Sequence, residues 1–92
     1  MKKNIAILGS TGSIGKTTLS ILKKNKHLFN IQLLTTNKNI NELIKQSKIF
    51  NVKNLVVTDK RKFLIIKKKI KNKEINVFNN FNCFNKIFKK KV

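Results

Sequence analysis

The chain lacks proline, tryptophan and tyrosine, and its 92 residues include one cysteine, three glycines and three acidic residues. The single cysteine, Cys83, excludes a disulfide bond within the chain and a zinc site built from several cysteines. The three acidic residues, Glu42, Asp59 and Glu74, do not cluster in the sequence. We therefore predict no metal-binding residue in this chain.

Long hydrophobic runs are also missing. No stretch approaches the roughly 18 apolar residues that a membrane span needs. The first apolar run, Ile5 to Leu8, has the length of a strand and is too short for the hydrophobic region of a signal peptide. We expect a cytoplasmic protein that has no membrane partner.

Positive charge is abundant, with 22 basic residues, 3 acidic residues and a net charge of +19. Such a charge is typical of nucleic-acid-binding proteins. However, 21 of the basic residues are Lys, and Lys, Asn, Ile and Phe together make up 55 of the 92 residues. These four amino acids have A/U-rich codons, whereas phosphate binders use Arg for its bidentate contacts. We interpret the charge as coding bias and expect no nucleic-acid partner; a basic nucleic-acid-binding module is the alternative.

Strand and helix patterns alternate along the chain. The apolar spacing predicts strands over residues 4–8, 29–36, 55–58 and 74–78, and helices over residues 13–25, 39–50 and 61–71. The third helix is expected to bury Phe63, Leu64, Ile66 and Ile70. This alternation predicts an α/β fold with a parallel sheet of three to four strands and flanking helices. Beyond residue 78 the pattern weakens, although Phe78, Phe81, Phe84 and Phe88 are spaced to line one side of a helix.

All three glycines lie between the first strand and the first helix, at positions 9, 12 and 15. Amide groups at such a helix start, together with the helix dipole, favour a bound anion. In a dinucleotide-binding turn, Gly9 makes the tight turn, Gly12 lets a diphosphate approach the backbone, and Gly15 lets the helix pack closely. The hydroxyls of Ser10, Thr11 and Ser13 are candidate donors to phosphate oxygens.

Two other interpretations of this turn remain open. Gly15-Lys16-Thr17 matches the end of a P-loop, and Asp59 follows an apolar strand as a magnesium-holding acid would. The P-loop pattern needs its leading glycine at position 10, where this chain has serine; Asp59 is also suited to capping the third helix. The remaining interpretation is a glycine turn that binds no ligand.

The end of the second strand bears on which dinucleotide binds. NAD-binding domains place Asp or Glu there to accept from the ribose 2′-hydroxyl. Residues 34–39 contain no acid; they contain Lys38, the amides of Asn37 and Asn39, and the hydroxyls of Thr35 and Thr36. A cation with neighbouring donors suits a 2′-phosphate, so the sequence predicts NADP(H) over NAD(H).

Residues 7–15, Ile-Leu-Gly-Ser-Thr-Gly-Ser-Ile-Gly, followed by Thr18-Leu19, closely resemble the start of the 1-deoxy-D-xylulose 5-phosphate reductoisomerases. Phe29-Asn30-Ile31 and Lys38-Asn39-Ile40 match the second strand and Lys-Asn turn of that family. The resemblance implies a Rossmann-like fold and the activity of an oxidoreductase of isoprene biosynthesis. In that reaction, NADPH-dependent rearrangement and reduction convert 1-deoxy-D-xylulose 5-phosphate to 2-C-methyl-D-erythritol 4-phosphate. It also implies a divalent metal (Mn²⁺ or Mg²⁺) and a homodimer.

The resemblance also assigns roles to particular residues. It implies that Thr11, Gly12, Ser13 and Ile14 contact the cofactor phosphates and that Lys38 and Asn39 bind near the 2′-phosphate. Gly9, Ser10 and Asn37 complete the predicted cofactor site; Asn37 stands where the family often has glycine, and asparagine tolerates a positive φ.

The same resemblance sets the extent of the domain. We expect residues 1–92 to be the N-terminal portion of an NADPH-binding Rossmann-like domain, with the catalytic and C-terminal domains absent. The resemblance then implies that this chain holds no catalytic residue and is inactive alone, because the metal and sugar-phosphate sites of the family lie downstream of these residues.

Overall fold

Four parallel strands and three helices alternate in a computed structural model that describes residues 3–71 and 74–83. In chain order they are β1 (Lys3–Ile7), α1 (Ser13–Lys23), β2 (Phe29–Thr36), α2 (Ile40–Phe50), β3 (Asn54–Val57), α3 (Lys60–Lys69) and β4 (Asn76–Phe78). The sheet has the order β1-β2-β3-β4, and each neighbouring pair is parallel. The predicted α/β, Rossmann-like architecture is confirmed.

The helices share one side of the sheet. Parallel crossovers are right-handed as a rule, so connections that all step in the same direction place their helices on the same face. Leu19 of α1, Leu43 of α2 and Ile66 of α3 accordingly belong to one core cluster with Leu34 and Leu55 of the strands. Leu33 and Val56, with Ala6 and Phe78 packed against them, form a smaller cluster made of the intervening strand residues.

One predicted core position on α3 is wrong. Leu64 is 51% exposed, whereas Ile66 is fully buried. Two residues along a helix correspond to about 200° of rotation, so α3 cannot direct both side chains to the sheet. The predicted aromatic stripe beyond Phe78 falls mainly on residues 84–92, which lie outside the described part of the chain.

A β-bulge interrupts β2. Ile5 pairs with Ile31, but Ala6 pairs with Leu33, so Gln32 is an extra residue between two regular pairs. Side chains alternate between the two faces of a strand. One extra residue therefore places every later side chain of that strand on the face opposite to the one it would otherwise occupy. The bulge therefore decides which face Thr35 and Thr36 occupy at the end of β2, where the chain approaches the glycine turn.

The described helices are short. The longest, α1 and α2, have 11 residues each. Within residues 3–71 and 74–83, no helix combines the length and the apolar character required to cross a bilayer.

Candidate functional site

The glycine turn joins β1 to α1 at the carboxyl edge of the sheet. Gly9 has a φ of +66°, a left-handed conformation that favours glycine. The Gly12 amide donates to the Gly9 carbonyl at 3.1 Å and closes the turn. These features match the tight-turn role that the sequence predicts for Gly9.

Gly15 lies where α1 packs against this turn. A Cβ at position 15 would lie 2.4 Å from the Gly9 carbonyl oxygen and 2.6 Å from the Ser10 Cα. Both neighbours are backbone atoms that cannot move aside freely. Close packing of the helix on the turn therefore requires glycine at position 15.

Gly12 has no comparable internal reason to be glycine. Its φ is −79°, which any residue adopts. A Cβ there would make only an ordinary contact, 3.5 Å from the Gly9 carbonyl oxygen. Neither the backbone conformation at position 12 nor its packing among the described residues requires glycine there.

The start of α1 also differs from the starts of the other two helices. The Asn39 side chain caps α2 by accepting from the Glu42 amide, and Asp59 caps α3 by accepting from the Lys62 amide. No side chain of the described residues caps α1, and its first helical hydrogen bond is donated by Lys16 to the Gly12 carbonyl. Within the described residues, the amides of residues 13–15 therefore have no acceptor, and the helix dipole adds partial positive charge beside them.

The last two residues of β2, Thr35 and Thr36, form hydrogen bonds with the glycine turn on its buried side. The Gly9 amide donates to the Thr35 hydroxyl at 2.7 Å, and the Ser10 amide donates to the Thr35 carbonyl at 2.8 Å. The Thr11 and Thr36 hydroxyls lie 2.6 Å apart. Thr35 and Thr36 are both buried. Their hydroxyls serve the turn, and the interpretation that they face a 2′-phosphate does not fit the structure.

Ser10 and Ser13 have opposite environments. Ser10 is completely buried, and its hydroxyl donates to Gln46 Oε1 at 2.7 Å. Ser13 is exposed at the first position of α1. The Ser10 side chain is therefore used inside the protein, whereas the Ser13 side chain faces the outside of the turn.

Gln46 is a residue that sequence reasoning missed. It follows Leu43 by three positions, so it lies on the buried face of α2, and it is 4% exposed. A glutamine among the apolar positions of an amphipathic helix is the signal that points to it, because buried amides need hydrogen-bond partners.

The β2–α2 loop carries the other predicted site residues. Asn37, Lys38 and Asn39 are all exposed. The Asn37 Oδ1 accepts from the Thr58 hydroxyl at 2.9 Å, and the Asn39 side chain is the α2 cap. Lys38 is left as a cation whose ammonium bonds to nothing in the described part of the chain.

The backbone of Asn37 departs from the expectation of a left-handed conformation. Apart from Gly9, the described residue with a positive φ is Asn51 at the end of α2. Asparagine in place of glycine at position 37 therefore introduces no backbone strain in this loop.

The parts of a P-loop do not assemble. Lys16 faces a groove between α1 and α2 that Glu42 and Gln46 also line, and it does not line the groove at the glycine turn. Asp59 accepts from the Lys62 amide at 3.0 Å as a helix cap. No group of three or more His, Cys, Asp or Glu side chains in the described ranges is arranged to hold a metal ion.

An open groove of about 600 Å³ runs along the free edge of β1 to the glycine turn. Gly9, Gly12 and Ser13 line it at the turn, and Leu8 and Ile14 line its apolar part. Ile14 is 84% exposed. The site thus combines uncovered backbone, free amide donors and an apolar wall, as a phosphate-containing organic ligand requires.

Solved structures of known proteins share this architecture. The chain superimposes on a 1-deoxy-D-xylulose 5-phosphate reductoisomerase from Zymomonas mobilis in complex with NADPH, with a TM-score of 0.78 and 27% identity over 85% of this chain and 21% of that one. A reductoisomerase in complex with NADPH, fosmidomycin and magnesium gives a TM-score of 0.82 at 21% identity, over 98% of this chain and 22% of that one. The second likeness supports the fold alone.

Sequence relatives carry the same name. The reductoisomerase of Pelagibacter ubique is 58% identical over 86 residues, which cover 94% of this chain and 22% of the relative. That of Porphyromonas gingivalis is 44% identical over 78 residues, which cover 85% and 20%. The chain thus spans about a fifth of the length of these relatives. The family model for 1-deoxy-D-xylulose 5-phosphate reductoisomerase matches residues 5–91, and the chain therefore belongs to the 1-deoxy-D-xylulose 5-phosphate reductoisomerase family.

Proposed function

We propose that residues 1–92 form the amino-terminal part of the NADPH-binding domain of a 1-deoxy-D-xylulose 5-phosphate reductoisomerase. The complete enzyme is cytoplasmic and homodimeric, and it converts 1-deoxy-D-xylulose 5-phosphate to 2-C-methyl-D-erythritol 4-phosphate with NADPH and Mn²⁺ or Mg²⁺. Family membership supports this proposal, as does the likeness to a reductoisomerase that was solved with NADPH.

The observation that carries the proposal is the uncovered backbone at Gly12. Neither its φ nor its packing requires glycine, and the adjoining amides at the start of α1 lack acceptors among the described residues. A diphosphate accounts for both features, because it needs close approach to the backbone and several N–H donors.

Each site residue then has a distinct role. The amides of Thr11, Ser13 and Ile14 donate to the diphosphate oxygens. Gly12 contributes by having no side chain, because its own amide is bonded to Gly9. When it is bound, NADPH supplies the hydride for the reduction; the chain described here supplies only binding and orientation.

Lys38 supplies charge for the 2′-phosphate. It lies in the β2–α2 loop, and β2 is the neighbour of β1 in the sheet, so the loop and the glycine turn share the same carboxyl edge. Asn37 and Asn39 flank Lys38 and shape the loop through their bonds to Thr58 and to the Glu42 amide. The loop contains no carboxylate to repel a phosphate.

Gly12→Ala tests the proposal. The added methyl group stands where the diphosphate approaches, and the loss of one charge-assisted hydrogen bond, about 1.5 kcal/mol, weakens NADPH binding about tenfold. Fluorescence titration with NADPH measures the affinity. The thermal midpoint should be close to that of the unsubstituted chain, because the methyl group meets only one atom at ordinary contact distance.

Ser20→Ala, at an exposed position of the same helix, is the matched control and should leave both quantities unchanged. Unaltered NADPH affinity in Gly12→Ala would remove the proposed role of the turn.

The chain alone should bind NADPH without oxidising it. Its acidic side chains are already engaged: Glu42 accepts from Gln46, Asp59 caps α3, and Glu74 pairs with Lys53. Incubation with 1-deoxy-D-xylulose 5-phosphate and Mn²⁺ should leave the NADPH absorbance constant, with a full-length relative as the positive control. Turnover by the chain alone would contradict the assignment of the chemistry to other parts of the enzyme.

A further inference from the structure

Two buried polar side chains connect α2 to the glycine turn. Ser10 is 0% exposed and Gln46 is 4% exposed, although they lie 36 residues apart in the sequence. Ser10 Oγ donates to Gln46 Oε1 at 2.7 Å, and Gln46 Nε2 donates back to the Ser10 carbonyl at 2.9 Å. The amide nitrogen also donates to Glu42 Oε2 at 3.3 Å.

Stability alone does not explain this pair. An apolar pair of similar shape can replace a buried hydrogen bond at little cost, whereas removal of one partner leaves a buried group unsatisfied. What a reciprocal hydrogen bond adds is a fixed direction for the groups that it joins. Here the group with a fixed direction is the Ser10 carbonyl, at the centre of the turn.

The direction of that carbonyl determines the direction of the next amide. The Ser10 C=O and the Thr11 N–H belong to one peptide unit, which is planar and trans, so they point in opposite directions. Because Gln46 holds the Ser10 oxygen toward α2, the Thr11 N–H points away from α2, to the outside of the turn. Within the described residues, this N–H has no acceptor.

We propose that Gln46 is a positioning residue of the dinucleotide site, which aims the Thr11 amide at the diphosphate by holding the Ser10 carbonyl. This inference rests on the proposed function for the ligand and on the structure alone for the orientation of the turn. Gln46 makes no contact with the ligand itself.

Gln46→Glu tests the inference through pH. The carboxylate still accepts from the Ser10 hydroxyl, but it repels the Ser10 carbonyl and the Glu42 carboxylate, while Lys16 faces the same groove from α1. At about pH 8, NADP⁺ affinity should fall about tenfold relative to the unsubstituted chain. Burial beside Glu42 raises the pKa of the introduced carboxyl, and when protonated it accepts through one oxygen and donates through the other, as glutamine does.

The dissociation constant of NADP⁺ for Gln46→Glu, divided by that for the unsubstituted chain, is measured by calorimetry at each pH. This ratio should return toward one as the pH is lowered to about 5.5. Gln46→Met, which can neither donate nor be protonated, should show the loss at both pH values. Ser47→Ala is the matched control: Ser47 is the adjacent buried polar residue, but it bonds to Ile44 of its own helix, and its affinity ratio should stay near one.

A ratio for Gln46→Glu that does not depend on pH would overturn the inference. So would a loss of NADP⁺ affinity in Gln46→Met that its loss of folded protein explains in full, or an equal loss of affinity in Ser47→Ala. A second readout needs no ligand: exchange of the Gly12 amide, which donates to the Gly9 carbonyl within the turn, should be faster than in the unsubstituted chain in Gln46→Met, and in Gln46→Glu at the higher pH. If the unsubstituted chain does not bind NADP⁺, the proposed function fails, and this exchange measurement alone decides whether Gln46 positions the turn. Unchanged exchange of the Gly12 amide in these variants would reject the positioning role of Gln46.

Discussion

At the scale of single residues, the roles of Gly9 and Gly15 could be predicted from the sequence, whereas the role of Ser10 could not. Gly9 and Gly15 are required by local geometry, a positive φ and a close backbone approach, which the spacing of the motif already indicates. The partner of the Ser10 side chain is Gln46 on α2, and only the folded chain brings the two together. A hydroxyl within a phosphate-binding motif therefore does not imply a contact with phosphate.

Gly15→Ala should destabilise the chain strongly. The new Cβ would overlap backbone atoms at 2.4–2.8 Å, and such overpacking costs about 3 kcal/mol because α1 has to move off the turn. Urea denaturation measures the free energy of unfolding. Gly12→Ala, the same substitution three residues earlier, should cost far less; equal losses in the two variants would contradict the close-packing role of Gly15.

Lys38→Met should reduce the preference for NADPH over NADH. An exposed ion pair contributes at most about 1 kcal/mol, so the dissociation constant for NADPH should rise about fivefold, while that for NADH should not change. Lys48→Met removes the same charge from an exposed position of α2 and controls for the net charge. Parallel losses in both variants would show that Lys38 acts only through the overall charge.

At the scale of helices and strands, the periodicity predicted β1 to β4 and α1 to α3 within a few residues of their ends. Regular alternation of apolar positions is a local property, so the pattern finds strands and helices without tertiary information. The bulge at Gln32 was not predictable, because it depends on how β2 pairs with β1. The orientation of Thr35 and Thr36 was not predictable either, because the bulge determines which face of the strand each of them occupies.

The cap of α3 should contribute measurably to stability. Asp59→Ala removes the acceptor for the Lys62 amide and should lower the free energy of unfolding by about 1 kcal/mol. Asp59→Asn keeps a side chain that caps equally well and should be near neutral. If Asp59 instead held magnesium for a nucleotide, Mg-ATP would raise the thermal midpoint of the unsubstituted chain and not that of Asp59→Asn.

An ion pair joins Lys53, the residue before β3, to Glu74 in the segment before β4. Lys53 Nζ lies 2.7 Å from Glu74 Oε1, and this hydrogen bond, with the charge of Lys53, lowers the pKa of Glu74 below its ordinary 4.5. Because the folded-state pKa is the lower one, the stabilisation is present above about pH 4.5 and is lost as the pH falls through the folded value.

Lys53→Met should raise the pKa of Glu74 in an NMR titration of its side-chain carboxyl carbon. Lys45→Met, which removes the ion-pair partner of Glu42 instead, should leave the pKa of Glu74 in place. An unchanged titration in Lys53→Met would assign the lowered pKa to another neighbour.

At the scale of the whole molecule, the sheet ends at β1 with an open edge. Leu8 and Ile14, beside this edge, and Ile21, further along α1, are large apolar side chains that are more than half exposed. An unpaired strand edge near apolar surface promotes association with other chains. The net charge of +19 opposes that association through repulsion between copies.

Salt should therefore decide the association state of this chain. Light scattering should detect monomers at about 20 mM salt and larger species at about 500 mM, where charges are screened within a few ångströms. Leu8→Lys should suppress the association at high salt, and Lys48→Met, far from the β1 edge in sequence, should not suppress it. A monomer at both salt concentrations would show that the open edge of β1 does not promote association.

The bulge at Gln32 makes the pairing of β2 part of the binding site. If β2 paired with β1 without the bulge, Gln32 would take the place opposite Ala6, and Leu33 to Thr36 would each move to the opposite face of the strand. Both threonine hydroxyls would then point away from the glycine turn, although the sheet itself would still form. Spacing along a strand, rather than any group that touches a cofactor, can thus govern whether this protein holds one.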